Sequence, residues 1–271
     1  YVRHHLARSL AAVELVPPRT ERGRLLELGS GIYLMTFLVE RLRNYDLELV
    51  QYWGCPSGRY ASKLVNRRSG EQRLVPFREF DGEREPFPYA DASFDVILNC
   101  DTIEHMLCNP VHMLAECHRV LKPGGVMVLT TPNVARLDNV VRLSRGINIL
   151  DKYVLQSPSA RHPREYTAGE LRRLLEWVGF DVTHLDTVDV TQTTLAPWAR
   201  WLARGCLTAF AVGGRLFGRE GDGPLNWRGE QIIAVAAGNG TVNRELPDFL
   251  YEAAGVGDQI IAALHGDAEP G

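Results

Sequence analysis

The stretch Arg24-Leu-Leu-Glu-Leu-Gly-Ser-Gly-Ile-Tyr33 decides the fold of this chain. Leu25, Leu26 and Leu28 supply an apolar strand, with Glu27 near its carboxyl end. Gly29 and Gly31 then turn the backbone, because glycine tolerates positive φ and lets a ligand approach the main chain closely. Apolar residues return at helical spacing over residues 32–42, so the turn opens onto a helix N-terminus. In an open α/β sheet, ligands bind outside the carboxyl end of such a strand.

Outward from that turn, strands and helices alternate. Residues 1–22 carry a leading helix closed by Pro17-Pro18. Residues 47–53 read as a second strand, 57–73 as a polar stretch without periodicity, 74–80 as a short strand and 81–93 as a loop. Phe94-Asp-Val-Ile-Leu-Asn-Cys100 is the near-continuous apolar run of a buried parallel strand. Asn109 and Pro110 supply an N-cap and first-turn proline for a helix that ends at Lys122-Pro-Gly-Gly125. A strand over 126–131 and a helix to about residue 145 follow. Residues 146–166 form a long irregular segment of the kind that serves as a lid. Thr167 caps a helix to Val178, with Glu170 placed to complete a capping box. Strands over 180–187 and 231–237 close the series. The alternation predicts an α/β fold, a doubly wound, mostly parallel sheet with helices on both faces. The expected division is an N-terminal helix (1–22), a core (23–188 and 229–238) with its lid at 146–166, a helical insertion (189–228) and a C-terminal tail (239–271).

Composition narrows the function. The 271 residues are 45% hydrophobic and 23% charged, enough apolar surface to bury a full core. A net charge of −3 gives no electrostatic case for nucleic acid as a partner. Arginine outnumbers lysine 27 to 3, a bias expected of a GC-rich, bacterial genome. Five cysteines without a CxxC pair fit reduced thiols, and residues 1–16 are too charged for a signal peptide, so a cytoplasmic location is expected. The apolar helix over 197–217 is interrupted by Arg200, Arg204 and Arg215 and lacks a membrane span's run of roughly 20 apolar residues. It is expected to pack on the chain's own core or on a homodimer partner, ahead of a membrane surface. His112 and His118, six residues apart, fall on different helix faces and read as surface or structural. No carboxylate–histidine cluster in the sequence demands a metal, and none is expected.

Several segments together resemble the class I S-adenosylmethionine-dependent methyltransferases, in the branch called methyltransferase type 11 or type 23. They are Glu27-x-Gly-Ser-Gly31, Asp81-Gly-Glu-Arg-Glu-Pro-Phe-Pro88 followed by Asp91-Ala-Ser-Phe-Asp95, and Ile103-Glu-His105. Arg119-Val-Leu-Lys-Pro-Gly-Gly125 and Leu129-Thr-Thr-Pro-Asn133 continue the order. Arg161-His-Pro-Arg-Glu-Tyr-Thr167 resembles a stretch of members linked to glycan and secondary-metabolite pathways. The resemblance implies a Rossmann-like, seven-stranded sheet with its last strand antiparallel. It also implies S-adenosyl-L-methionine as cofactor, with S-adenosyl-L-homocysteine as product. Two positions depart from the pattern. Tyr33 replaces a third glycine, and Gln51 stands where an acidic residue would bind the ribose hydroxyls.

By the same resemblance, Glu27, Leu28, Gly29, Ser30, Gly31, Gln51, Asp81, Gly82, Asn99 and Cys100 are expected to hold the cofactor. Glu27 would attract its methionyl ammonium and Asp81 its adenine amino group. His105 is the first choice as base, since a neutral imidazole can take a hydroxyl proton as the methyl arrives. An architectural role for the Glu104-His105 pair stands equally open, and Asp101 reads as a helix cap. His162 is the second choice as base. Asn133, Arg161, Arg164, Glu165 and Tyr166 are expected to meet the acceptor. The expected reaction is O-methylation of a sugar, glycan or secondary-metabolite hydroxyl. The alternatives are a cofactor-binding fold running a non-methylating biosynthetic reaction, and a non-catalytic binding protein.

Overall fold

The computed structural model of the chain describes residues 2–31, 33–152, 161–190 and 227–252, with isolated helical positions between 198 and 208. Ile32, the centre of the expected lid, most of the expected insertion and residues 253–271 lie outside the described residues. Helix α1 (Val2–Glu14) leads into β1 (Gly23–Leu28) and α2 (Leu34–Leu42). Strands β2 (Tyr45–Gln51), β3 (Gly58–Val65), β4 (Gln72–Glu79) and β5 (Phe94–Cys100) follow. After β5 come a single 3-10 turn (Ile103–His105), α3 (Pro110–Val120), β6 (Leu121–Pro132) and α4 (Leu137–Ser144). Helix α5 (Ala168–Val178), β7 (Phe180–Val188) and β8 (Gln231–Gly238) complete the described elements.

The sheet runs β3-β4-β2-β1-β5-β6-β8-β7. Strands β4, β2, β1, β5 and β6 are mutually parallel, and β8 lies antiparallel between β6 and β7. Seven of the eight strands are those read from the sequence. The eighth, β3, pairs antiparallel along the whole of β4 from Gly58↔Glu79 to Val65↔Gln72. Its residues are mostly exposed, so the strand carries no apolar run and reads as a polar loop. It exists because its backbone pairs with β4 and not because its side chains are buried.

Strand alternation sorts the core into two layers. Leu25, Val96, Leu98 and Val128 face α1 and α2, where they meet Ala12, Val13, Met35 and Val39. Leu26, Leu28, Ile97, Met127 and Leu129 face α3 and α5, where they meet Met113, Leu114, Leu171, Leu174 and Val178. Each such buried side chain contributes roughly 1.5–3 kcal/mol. Glu27 shares the face of Leu25, which aims a carboxylate at α2. Residues 239–252 differ from a tail: Asn243 N donates to the Val178 carbonyl, and Phe249 stacks edge-on with Trp177.

The loop after β4 is pinned from below. Arg119 on α3 donates to both Glu116 oxygens, to Asp91 Oδ1 at 2.7 Å and to the Tyr89 and Phe87 carbonyls. Glu116, 3% exposed, also accepts from the Phe87 amide and from Arg244. Burial opposes its charge, but the hydrogen bonds from Arg119, Arg244 and Phe87 outweigh it and hold the carboxyl at about 2. Replacing Arg119 with alanine removes most of that compensation. We expect a stability loss near 3 kcal/mol, the low end of the range for breaking a buried pair because Arg244 remains. A carboxyl with a depressed native value contributes stability above its ordinary 4.5, and that stability fades as pH falls toward 2. The variant should therefore also unfold at a higher pH on acidification, which urea titrations between pH 2 and 7 would read. Equal stability of the two proteins across that window would rule the network out as an anchor.

Candidate active site

The chain leaves β1 for β2 and β4 on one side and returns to β5 on the other, so the strand order reverses between β1 and β5. Ligands in such sheets bind outside the carboxyl ends at that crevice. Two loops meet there. Gly29 turns with φ 70°, and a Cβ on it would stand 2.4 Å from Thr102 Oγ1, so any side chain would collide with the loop after β5. Thr102 Oγ1 in turn donates to the Leu28 carbonyl at 3.2 Å. Leu28 is buried, and Ser30, also buried, donates to the Val50 carbonyl. Glu27 is buried and accepts from Thr36 Oγ1 at 2.7 Å. Burial pushes its carboxyl up to about 7 against the pull of that hydrogen bond.

Tyr33 takes the place of a glycine and keeps a glycine's backbone, with φ 56° in the left-handed region. Its side chain offsets that strain. The ring is 5% exposed, and the hydroxyl bridges Ser62 of β3 at 2.6 Å and Gln51 Nε2 at 2.7 Å. Gln51 also donates to Ser30 Oγ and accepts from the Trp53 indole. Its amide is thus committed to protein partners and not turned toward a ribose. The carboxylate at this corner comes from the neighbouring strand: Glu79, in register with Gln51, is 1% exposed. Its Oε1 accepts from the backbone amides of Trp53 and Cys55, and Oε2 has no hydrogen-bond partner among the described residues. Sequence reasoning missed Glu79, because it looked along β2 for an acid that stands on β4. The Trp53 ring covers Gly31, 3.2 Å from where a Cβ would be.

Asp81 accepts from the Glu83 amide at 2.9 Å, and its charge holds the Tyr52 phenol above its usual value. Gly82 lies against Phe87 and Met113. Asn99 is fully buried, donating to the Met113 sulfur with no partner for Oδ1 among the described residues, and burial pushes the Cys100 thiol up.

Beyond β5 the titratable groups converge. Asp101 has φ 51°, sits in no helix cap, pairs with Arg8 of α1 at 2.8 Å and accepts from Gln231 at 3.1 Å. Glu104 is fully buried. Its Oε2 accepts from Thr131 at 2.9 Å and Oε1 has no hydrogen-bond partner among the described residues. Burial, and then the charge of Asp101, raise its carboxyl well above the ordinary value. His105 Nδ1 donates to the Arg161 carbonyl at 2.9 Å, and its ring meets that of His162 edge-on at 4.9 Å. His162 Nδ1 donates to Glu165, which Arg136 holds from the other side. Ligand atoms of Glu104, His105 and His162 all lie within 4.8 Å of one another.

The remaining acceptor residues divide. Arg161 lends its carbonyl to His105, and Glu165 steadies His162. Arg164 pairs with Glu170, which takes that carboxylate away from the reciprocal half of the capping box; Thr167 still accepts from the Glu170 amide. Tyr166 is 1% exposed and packs into the α3–α5 layer. Asn133 is fully buried, donating to the Gly229 and Trp227 carbonyls and accepting from the Ala135 amide. Both therefore build the wall behind the crevice and do not project side chains into it. Motif residues outside the crevice are similarly architectural: Asp95 ties the Arg24 amide to Lys122 and Arg19. Among the described residues, no helix is long and apolar enough to cross a membrane.

Residues 26–129 match the family profile described as a methyltransferase domain. That segment holds the glycine turn, both crevice loops and the strand reversal. Over these residues the chain is similar to the S-adenosylmethionine-dependent methyltransferases. A probable S-adenosylmethionine-dependent methyltransferase of Mycolicibacterium smegmatis is 38% identical over 110 residues, covering 40% of this chain and 36% of the relative. A ubiquinone biosynthesis O-methyltransferase of Maricaulis maris is 46% identical over 111 residues, 41% of each chain. The chain spans between a third and about half the length of the curated relatives it matches first. Among solved structures, a methyltransferase in complex with the Haloferax volcanii Trm112 activator superposes with a TM-score of 0.52. It covers 87% of this chain and 90% of that one at 15% identity, a likeness of fold alone.

Proposed function

We propose that this methyltransferase transfers the methyl group of S-adenosylmethionine to a hydroxyl of a small molecule of the sugar, glycan or secondary-metabolite type. One observation carries the reading: Glu104, His105 and His162 gather at the carboxyl end of β5, in the loop whose Thr102 packs against Gly29 of the cofactor turn. Two imidazoles and a buried carboxylate there suit a reaction in which a hydroxyl must lose its proton. Displacement at a sulfonium methyl is in line, so most of the rate comes from holding donor and acceptor in near-attack geometry. Glu27 receives the methionyl ammonium, the Gly29–Gly31 backbone lies along the cofactor, and Asp81 receives the adenine amino group. Donation from His105 Nδ1 to the Arg161 carbonyl leaves the basic lone pair on Nε2, which takes the hydroxyl proton as the bond to carbon forms. His162, oriented by Glu165, is the second proton acceptor, and Arg161 and Arg164 give the lid its affinity for a hydroxyl-rich acceptor.

The ribose hydroxyls fall to Glu79 and not to Gln51, because a carboxylate makes the stronger hydrogen bond and Oε2 of Glu79 has no partner among the described residues. Glu79→Gln should weaken S-adenosylhomocysteine binding roughly tenfold by calorimetry, the value of one charge-assisted hydrogen bond. An analogue lacking both ribose hydroxyls should bind the two proteins alike. A Glu79→Gln penalty that persists with that analogue would remove Glu79 from the ribose contact.

The reaction is tested with methyl-labelled S-adenosylmethionine and a panel of sugar, phenol and amine acceptors. The expected result is label in an ether that resists alkali, with one equivalent of S-adenosylhomocysteine. Label only in amines would overturn the O-methyl assignment. Tight cofactor binding without label in any acceptor would favour a non-methylating reaction, and no cofactor binding at all would leave a partner protein.

A further inference from the structure

We propose that Glu104, His105 and His162 bind one divalent first-row cation, best matched by Zn2+, at the carboxyl end of β5. Three observations converge. First, the chemistry of the set fits: two imidazoles and one carboxylate form a three-ligand site that keeps a position open for a substrate oxygen. Second, Glu104 is fully buried and carries an oxygen, Oε1, with no hydrogen-bond partner among the described residues, while Thr131 holds the other. A buried carboxylate oxygen left in that state is costly unless a ligand completes it. Third, both histidines carry the outer hydrogen bonds that metal-binding imidazoles carry. His162 Nδ1 donates to a carboxylate, Glu165, itself fixed by Arg136, and His105 Nδ1 donates to a backbone carbonyl. Such partners fix the tautomer with its lone pair on Nε2 and raise its basicity. The candidate ligand atoms lie within 4.8 Å of one another, and holding one ion at bond lengths of about 2.1 Å requires them to close in around it. The cluster joins the loop after β5 to the segment after residue 160, two parts that do not read as neighbours in the sequence.

The consequence for catalysis rests on reading this crevice as the acceptor site. An acceptor hydroxyl that ligates the cation becomes acidic and releases its proton to water. The resulting oxyanion forms the bond to the methyl carbon, the carbon–sulfur bond breaks, and its electron pair stays on sulfur as a neutral thioether. With the cation bound the imidazoles serve as ligands, and the base role of His105 belongs to the cation-free site. The reaction needs no oxidant or reductant.

The test uses the full chain, stripped by chelator and titrated with ZnCl2 by calorimetry, with S-adenosylhomocysteine binding measured on the same samples. One equivalent of Zn2+ per chain is expected. His162→Ala and Glu104→Gln should each weaken binding by more than the about 10- to 100-fold that losing an outer partner costs, and Glu165→Gln by that amount. His112→Ala, whose imidazole meets the Glu85 carbonyl outside the cluster, should bind as the parent does. His162 is half-buried, so its replacement keeps the test open where the buried Glu104 variant fails to fold. Zn2+ binding that His162→Ala leaves unchanged, or absence of a stoichiometric site in the parent, overturns the proposal. Retained S-adenosylhomocysteine binding in those samples would leave the methyltransferase reading standing, whereas its loss with Zn2+ binding intact would sink the cofactor reading alone.

Discussion

His105→Ala is expected to lower kcat by about 10²- to 10⁴-fold, the range that a positioned proton acceptor contributes, with S-adenosylhomocysteine affinity unchanged within about twofold. The split follows from geometry. His105 lies in the 3-10 turn after β5, its Nδ1 fixed on the Arg161 carbonyl and its ring against His162, while the cofactor turn is held by Gly29, Thr102 and Glu27. Alanine removes the proton acceptor, or the ligand, without touching the turn. His162→Ala should cost less, because its Nδ1 is already engaged by a carboxylate that stays in place. Single-turnover and steady-state rates with a competent acceptor would read both. A kcat within threefold of the parent for His105→Ala would assign catalysis to proximity alone.

Cofactor affinity should rise with pH between about 5.5 and 7.5, and Glu27 is the reason. Burial holds its carboxyl near 7, although Thr36 donates to it. The sign runs against that of an ordinary surface carboxylate. Because the native value lies above the ordinary 4.5, neutral Glu27 favours the empty fold, and that contribution is lost as pH rises through 7. A cationic ammonium needs the ionised form, so below 7 binding must also release a proton, and affinity should climb by up to about tenfold per pH unit before levelling. Glu27→Gln keeps an acceptor for Thr36 and removes the charge. It should bind S-adenosylmethionine roughly ten- to hundredfold more weakly at pH 7.5, the loss of one charged hydrogen bond, and should show a flat profile. Calorimetry across the window decides it, and a parallel slope in the variant would place the titrating group elsewhere.

The parallel core was legible because burial on both faces forces apolar runs such as residues 94–100, and because caps such as Asn109 and Thr167 work through adjacent atoms. Strand β3 was not legible, since a paired but exposed edge strand leaves no apolar trace. Asn133 and Tyr166 were read as acceptor contacts because motif position says which residues recur and not which way they face; in the fold both turn into the wall. Glu79 was passed over, and Glu104 was weighed only as an architectural partner of His105, because a buried oxygen without a partner among the described residues exists only once the surrounding layers have closed.

Local chemistry by itself determined the glycine turn after β1 and the alternation of strands and helices. These follow from backbone freedom at glycine and from the period of buried side chains, which act over a few residues. The tertiary structure alone decided that a tyrosine at the third glycine position is held in a left-handed backbone by a strand nearly 30 residues away. It alone set Glu79 beside Gln51 and brought His162 to His105 across more than 50 residues of chain. Such meetings depend on strand order and loop closure, which no short stretch encodes.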